Sequence, residues 1–341
     1  MFVSVGVRFE ANVEALNMVE TTGNYTKHRR VPYIFRDEEG YKIIYVPAIS
    51  GESLAHAYQE LLVGESKSIY SSPPVCSDCI RGEFFKSMDK IHLKSKTQED
   101  PSKLTPEKLE KIIVEKCLVE DIGGFLYAER PPLKRSSAFQ MSYALPIKTV
   151  AIYSTTEPQL HARHAQLRLE EIEKKGRERG RAAPQMIYYV ETGSALYGFT
   201  FNIDLDAIGI SGINSKPILV EEEIKKRRKV ALMALLRLVS SQQFGAKLSR
   251  FFPVGGILSV VASVSKNPFS ITSPIYDGYI NSTSNRLSVL KSKFKEDVYL
   301  YIFDKTENIE SALQLDFVEK FDTPEEPILK VIEIMEERKI I

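Results

Sequence analysis

Two stretches of strict alternation constrain this chain more than any other feature. Val3, Val5, Val7 and Phe9 alternate with Ser4, Gly6, Arg8 and Glu10, and far downstream Tyr197, Phe199, Phe201, Ile203 and Leu205 alternate with Gly198, Thr200, Asn202 and Asp204. Side chains leave a strand on opposite faces with period two, so each stretch has one buried face. Tyr197-Gly198-Phe199-Thr200-Phe201 resembles a base-stacking motif. Its apolar face runs on through Ile203 and Leu205, however, which makes these aromatics core packing.

Other elements fall around these strands. Val31–Arg36 and Tyr41–Val46 flank Asp37-Glu38-Glu39-Gly40 and predict a hairpin. Ser50 is the expected N-cap of a helix running to about Val63. Met186–Glu191 and Ala195–Leu205 are expected to form a second hairpin around Thr192-Gly193-Ser194. Leu219–Gln242 is the clearest helix, with Glu221, Glu222 and Glu223 placed four residues before Lys225, Lys226 and Arg227. Gly256–Ser265 reads as a strand and Ile328–Ile340 as a terminal helix.

Two long excursions interrupt this order. Gly64 to about Arg130 holds Pro73-Pro74, a Cys76/Cys79 pair and a short helix near Pro106–Cys117. Thr155–Pro184 is basic and Glu-rich, with a helix expected over Ala165–Arg179. Excursions of this length are usually functional or mobile. Without them the order is strand, helix, two strands, helix, strand, which predicts an α+β fold with a ferredoxin-like (RRM-like, βαββαβ) core and two large insertions.

The net charge is only +1, so a site for a polyanion must arise from local separation of charge. The chain from Lys295 to Ile341 carries thirteen acidic and six basic residues, whereas Arg130–Arg181 carries eleven Lys/Arg and five Glu. This suits either a partner lying along one surface or a solvated helix face. No run approaches the roughly 20 apolar residues that span a bilayer, and the N-terminus does not read as a signal peptide. With three Cys in 341 residues a disulfide framework is excluded, so a cytoplasmic protein is expected.

Four segments are candidates for binding, each also readable as an inert solvated loop or cap. Asn24, Lys27, His28, Arg29 and Arg30 follow a glycine turn and could hold phosphates. Ser50, Gly51 and Ser53 open a helix whose free N–H groups suit an anion. Lys134, Arg135, Ser136 and Gln140 follow a stiff Pro131-Pro132 pair and suit a sugar-phosphate track. His161, Arg163 and Gln166, with His164, could stack on bases or contact phosphates. A catalytic His28–His161 pair would need both residues across one phosphate, which their spacing does not show. No HExxH or P-loop pattern occurs. Cys76-Ser77-Asp78-Cys79 has the spacing of half a zinc site, but Cys117 is the only other thiol and His92 the nearest imidazole. A disulfide or two free thiols is preferred, and no metal or cofactor is expected.

Taken in order, four pieces resemble the backbone subunit of the archaeal type I-A CRISPR Cascade, the DevR-type family of the RAMP superfamily. They are Gly23-Asn24…Arg29-Arg30-Val31-Pro32, Val46-Pro47-Ala48-Ile49-Ser50-Gly51-Glu52-Ser53-Leu54, Arg135-Ser136-Ser137 and Phe252-Pro253-Val254-Gly255-Gly256. The resemblance implies a palm from residues 1–63 and 185–341, a fingers-like insertion over 64–130 and a thumb-like basic insertion over 131–184. It further implies a non-enzymatic subunit forming a helical filament on CRISPR guide RNA, held by its backbone in any sequence. The expected partners are that RNA, target single-stranded DNA paired to it, further copies of the chain and other Cascade subunits. The alternative is a guide-RNA processing endoribonuclease of the same superfamily. Such enzymes usually show a basic glycine-rich loop near the C-terminus, whereas Gly255-Gly256 leads into Ile257-Leu258-Ser259-Val260 without a cation.

Overall fold

A computed structural model describes residues 1–163 and 186–341, apart from Ser95 and Gln98. The first elements are β1 (Phe2–Glu14), β2 (Met18–Thr22), β3 (Tyr25–His28), β4 (Arg30–Asp37), β5 (Gly40–Pro47) and α1 (Gly51–Ile69). Short pieces follow: α2 (Ser77–Ile80), α3 (Lys90–Leu93), α4 (Pro106–Lys116), α5 (Leu118–Gly123), β6 (Phe125–Tyr127), β7 (Leu133–Arg135), β8 (Phe139–Met141) and β9 (Leu145–Pro146). Then come β10 (Thr155–Arg163), β11 (Met186–Asp204), α6 (Glu221–Ser240), α7 (Leu248–Phe251) and β12 (Ile257–Ser265). The chain ends with α8 (Tyr279–Phe294), β13 (Val298–Asp304), β14 (Val318–Lys320) and α9 (Glu326–Glu337).

The fold is α+β, organised on one large mixed sheet ordered β14-β13-β12-β1-β11-β3-β2, with β8, β9 and β10 also paired to β11. The stretch β12-β1-β11-β8 is antiparallel throughout. Helix α1 lies between β1 and β8 in the chain, and α6 between β11 and β12.

The alternating residues decide how the sheet is covered. Val3, Val5, Val7, Phe9, Tyr197, Phe199, Phe201, Ile203 and Leu205 are fully buried and form one core with α1, α6 and α9. Tyr58 of α1 packs edge-on to Phe139 and Phe201, and its hydroxyl donates to the Ala231 carbonyl of α6 at 2.9 Å. The opposite face is closed by the segment leading into α8. Ile271 and Tyr279 press on Gly6, where a Cβ would lie 2.3 Å from Ile271 Cδ1. On this face Arg8 is buried, donating to the Pro274 and Tyr276 carbonyls and pairing with Glu307 at 2.9 Å.

Three sequence expectations need correction. Residues 186–204 form one strand and not a hairpin. Gly193 marks no turn: here β11 passes from pairing with β1 (Glu14↔Gly193) to pairing with β10 (Thr156↔Gly193). The glycine is needed because a Cβ there would meet Glu14 Oε1 at 2.5 Å. The expected partner strand is supplied instead by Phe139–Met141, from within the 131–184 segment. Second, the basic excursion begins as a strand, Thr155–Arg163, antiparallel to β11. Its expected helix at Ala165–Arg179 lies outside the described residues. Third, α1 extends to Ile69, two turns beyond expectation, because Leu62, Val63 and Ser66 continue its buried stripe.

Candidate nucleic-acid interface

The start of α1 is built by close packing. Ser50 is extended and its hydroxyl accepts from the Ser53 N–H at 3.2 Å, as expected of an N-cap. Gly51 is buried against the Met141–Ser142 backbone, and a Cβ would sit 2.6 Å from the Met141 carbonyl oxygen. Asn17, which the sequence did not single out, joins this corner to the basic segment. Its side-chain oxygen accepts from the Ser50 N–H at 2.7 Å and from Arg29 Nε at 3.0 Å. The Arg29 Nη groups have no partner among the described residues. Ser142 and Tyr143 are exposed.

The other basic residues before β4 point different ways. Asn24 and Lys27 are exposed; Asn24 Nδ2 donates to the Ile187 carbonyl at 3.1 Å and Lys27 faces Glu20 at 3.6 Å. Arg30 is exposed and donates to the Tyr45 carbonyl at 2.8 Å. His28 is turned inward, and the structure removes it from any RNA contact. Its Nε2 lies 2.7 Å from Glu14, which also accepts from the Tyr197 hydroxyl at 2.8 Å and the Leu16 N–H at 2.7 Å. Burial opposes charging of this imidazole, yet the Glu14 carboxylate outweighs it and holds the group above the usual histidine value.

A cleft of about 610 Å³ gathers Lys134, Ser136 and Gln140 with Asn202, Asp204 and Ser270. Strand alternation in β7 exposes Lys134 and buries its neighbours Leu133 and Arg135. Arg135 is therefore not a phosphate ligand. Its Nε donates to the Asp121 carbonyl (3.1 Å), and Nη1 donates to Glu110 (3.1 Å) and the Ile210 carbonyl (2.6 Å). Nη2 donates to Asp121 Oδ1 (2.5 Å) and the Ala207 carbonyl (3.0 Å). A guanidinium has five N–H groups, and all five are used. Asp121 in turn meets Arg227 at 2.9 Å, so this network ties α4 and α5 to α6.

The third patch lies on the arm formed by β2, β3, β11 and β10. His161 pairs across the strands with Tyr188, stacks on its ring at 5.2 Å and meets the Phe251 ring edge-on at 5.8 Å. A pocket of about 400 Å³ here also holds Lys247 and Arg250. His161 Nε2 is buried without a hydrogen-bond partner among the described residues. Arg163 is the last residue of β10. Gln166 and His164 lie outside the described residues. His28 sits against Glu14 and His161 against Tyr188, so the two histidines do not form an acid–base pair.

The structure thus joins Arg29 through Asn17 to the Ser50–Ser53 turn, which packs on the Met141–Ser142 backbone, whereas Asn24 and Lys27 are held on the arm by Ile187 and Glu20. Gln140, Lys134 and Ser136 follow on the cleft side of β8. Asn17, Tyr188, Lys247 and Arg250 are additions; Lys247 and Arg250 were visible as cations, whereas nothing marked Asn17. Among the described residues no helix is long and apolar enough to cross a membrane.

Comparison with known proteins gives the family. The model of the CRISPR-associated negative auto-regulator DevR/Csa2 matches residues 5–284. The chain is 33% identical to the CRISPR-associated protein Cas7/Csa2 1 of Saccharolobus solfataricus, over 92% of this chain and 96% of that protein. It is 35% identical to the CRISPR-associated aCascade subunit Cas7/Csa2 2 of the same organism, over 85% of this chain and 87% of the other. A chain of a solved CRISPR RNA-guided surveillance complex in a pre-nicking state has a similar fold. Its TM-score is 0.52 at 12% identity, covering 98% of this chain and 100% of that one. The chain belongs to the DevR/Csa2 family of CRISPR-associated proteins.

Proposed function

We propose that this protein is the repeating backbone subunit of an archaeal Cascade-type interference complex and binds CRISPR guide RNA without reading its sequence. The similar aCascade subunit supports the setting. The observation that carries the mode of binding is the arrangement of side chains. Exposed cations and amides stand on the arm and in the Lys134 cleft, and Arg29 is tied through Asn17 to the helix start, while Tyr197, Phe199 and Phe201 are sealed in the core. Such a surface meets phosphates and sugars, and the Tyr197–Phe201 face is not open to bases, which suits a subunit that must accept every guide.

The order β12-β1-β11-β8, with α1 and α6 as crossovers, corresponds to an RRM-like βαββαβ palm, assigned to residues 1–63 and 185–341. Residues 64–130 form the fingers-like insertion. Residues 131–184 form the thumb-like one, lending β8 to the palm sheet. The RNA-contacting set is Asn24, Lys27, Arg29, Arg30, Ser53, Lys134, Ser136, Gln140, His161 and Arg163; Ser50 and Gly51 are buried and shape the helix start. Gln166 is proposed from the sequence alone. Self-association on RNA is head to tail, since a rotation that does not close gives an open helix. The β4–β5 hairpin supplies an apolar surface for the neighbouring copy, with Ile34, Tyr41, Ile43 and Tyr45 all more than half exposed. Other Cascade subunits and target single-stranded DNA paired to the guide complete the partners, in the cytoplasm. The protein has no catalytic role.

The test is incubation with repeat-containing RNA and with unrelated single-stranded RNAs at several salt concentrations. Binding of all of them without cleavage is expected. Lys134→Ala should reduce the slope of log K against log salt by ~0.7, the value for one phosphate contact on a single strand. Cleavage at the repeat would place the chain among the processing endoribonucleases. Affinity indifferent to salt, or strong preference for one base sequence, would end the backbone-contact account.

A further inference from the structure

The three cysteines of the chain meet in one place. Cys76 and Cys79 flank the start of α2, and Cys117 and Glu120 stand at the start of α5. Their three sulfurs and one carboxylate oxygen all lie within 4.8 Å of one another, and all four residues are buried. We propose that these four groups form a structural zinc site that pins the 64–130 insertion to the main core.

Geometry is the first support. Zinc bonds sulfur at about 2.3 Å and carboxylate oxygen at about 2.0–2.2 Å in a tetrahedron, which puts a sulfur and an oxygen ligand roughly 3.5 Å apart. Cys76 Sγ and Glu120 Oε1 are 3.6 Å apart. Two ligands three residues apart from each of two segments is a spacing that closes around one ion: Cys76 and Cys79, then Cys117 and Glu120. A disulfide could use only two of the three sulfurs, and all three are free thiols.

Charge is the second. Three thiolates, one carboxylate and Zn²⁺ carry a net charge of −2. Two lysines are placed against that charge. Lys96 is buried, with its Nζ 2.6 Å from Glu120, and Lys86 reaches over the cluster to the Gly123 carbonyl at 2.9 Å. Without a metal, Glu120 would be the one anion of the cluster facing two ammonium groups, Lys96 buried and Lys86 half-buried. With zinc the count closes.

An orphaned atom is the third. Glu120 is fully buried, yet its Oε2 has no hydrogen-bond partner among the described residues. Buried carboxylate oxygens are normally satisfied; Lys96 holds Oε1, the oxygen facing Cys76 Sγ, and a turn of the carboxylate brings the unpartnered Oε2 to the ion. Lys96 on the ligating carboxylate is the kind of outer contact that orients a metal ligand. Four protein ligands in a closed, buried site leave no open position, so the ion serves structure and no chemistry. Thiolates with one carboxylate in a tetrahedron favour zinc over magnesium or calcium. The ion would join the α2 turn, next to α1, to the α5 start, whose Leu118 N–H already donates to the Pro74 carbonyl at 2.7 Å. The sequence-based expectation of no metal rested on Cys117 lying far from the Cys76/Cys79 pair in the chain, and His92, the nearest imidazole, contacts Asp78.

The experiment uses the full chain without RNA, so its outcome is independent of the RNA-binding proposal. Protein prepared with zinc is washed of loose metal, and the zinc is counted by plasma mass spectrometry and by dye capture on blocking the thiols. Cobalt(II) is then exchanged in. One zinc per chain, released only when the thiols are blocked, and a cobalt spectrum with thiolate charge-transfer and intense tetrahedral bands are expected. Glu120→Cys should move those bands toward a four-sulfur pattern, and Lys96→Met should weaken cobalt binding about 10- to 100-fold. Zinc no higher than in Cys79→Ser or Cys117→Ser, an octahedral cobalt spectrum, or a disulfide in the alkylated chain's mass overturns the site. Bands unchanged by Glu120→Cys overturn the fourth ligand. The wild-type cobalt spectrum decides the matter even if every variant fails to fold.

Discussion

Arg135→Ala would remove a guanidinium whose five N–H groups are all engaged inside the protein. Taking one partner from a buried ion pair costs about 3–5 kcal/mol, because the other charge stays behind without compensation. Two features moderate the loss here. Asp121 keeps Arg227 and the Gly209 N–H, and Glu110 keeps the Ser211 hydroxyl at 2.6 Å and the Gly212 N–H at 2.8 Å. The cost therefore falls near the lower bound, about 3 kcal/mol. At roughly 2 °C per kcal/mol for a large chain, melting should drop by about 6 °C. Thermal unfolding followed by circular dichroism measures this, with RNA affinity taken well below the melting point. There the variant should bind guide RNA with nearly unchanged salt dependence, in contrast to Lys134→Ala. A variant with wild-type melting and a lost phosphate contact would refute the reasoning, since it would place this guanidinium at the RNA and not in the network.

Gly51→Ala forces a Cβ to within 2.6 Å of the Met141 carbonyl, and overpacking should outweigh the helix propensity gained, for a net loss of roughly 1–2 kcal/mol in denaturant melts. Equal or higher stability would show that this corner yields freely. The His28–Glu14 pair makes stability pH-dependent. Because the folded value is raised above 6.5, its contribution is complete below that pH and is lost as pH rises through the folded value. Wild-type protein should therefore lose stability on going alkaline relative to His28→Gln, and parallel profiles would remove the pair from the account. His161→Ala should weaken guide-RNA binding and lower stability by about 0.5–1.5 kcal/mol, since its ring packs against Tyr188 and Phe251. Unchanged affinity would make His161 a bystander, and loss of cleavage with binding kept would move the chain to the endoribonuclease class.

What the sequence determined by itself was local and periodic. Alternation at Val3–Phe9 and Tyr197–Leu205 set two strands and their buried faces. Ser50 set a helix start, and the Glu-to-Lys spacing after Glu221 set α6. The short motif Val46–Leu54 carried the family, because a turn and a cap depend on neighbours in the chain. Tertiary structure decided everything that depends on what comes near in space. Gly193 reads as a turn until Glu14 is seen occupying the room where its Cβ would be. Arg135 and Lys134 are adjacent cations in the sequence, yet the strand's two faces put one in a buried network and the other in the cleft. Asn17 carried no signal, but its one carbonyl oxygen links Arg29 to the helix start. Cys117, distant along the chain, completes the cluster with Cys76 and Cys79 only after α5 has docked. Periodicity is written in the covalent order, whereas the pairing of charges and ligands depends on which segments the core brings together.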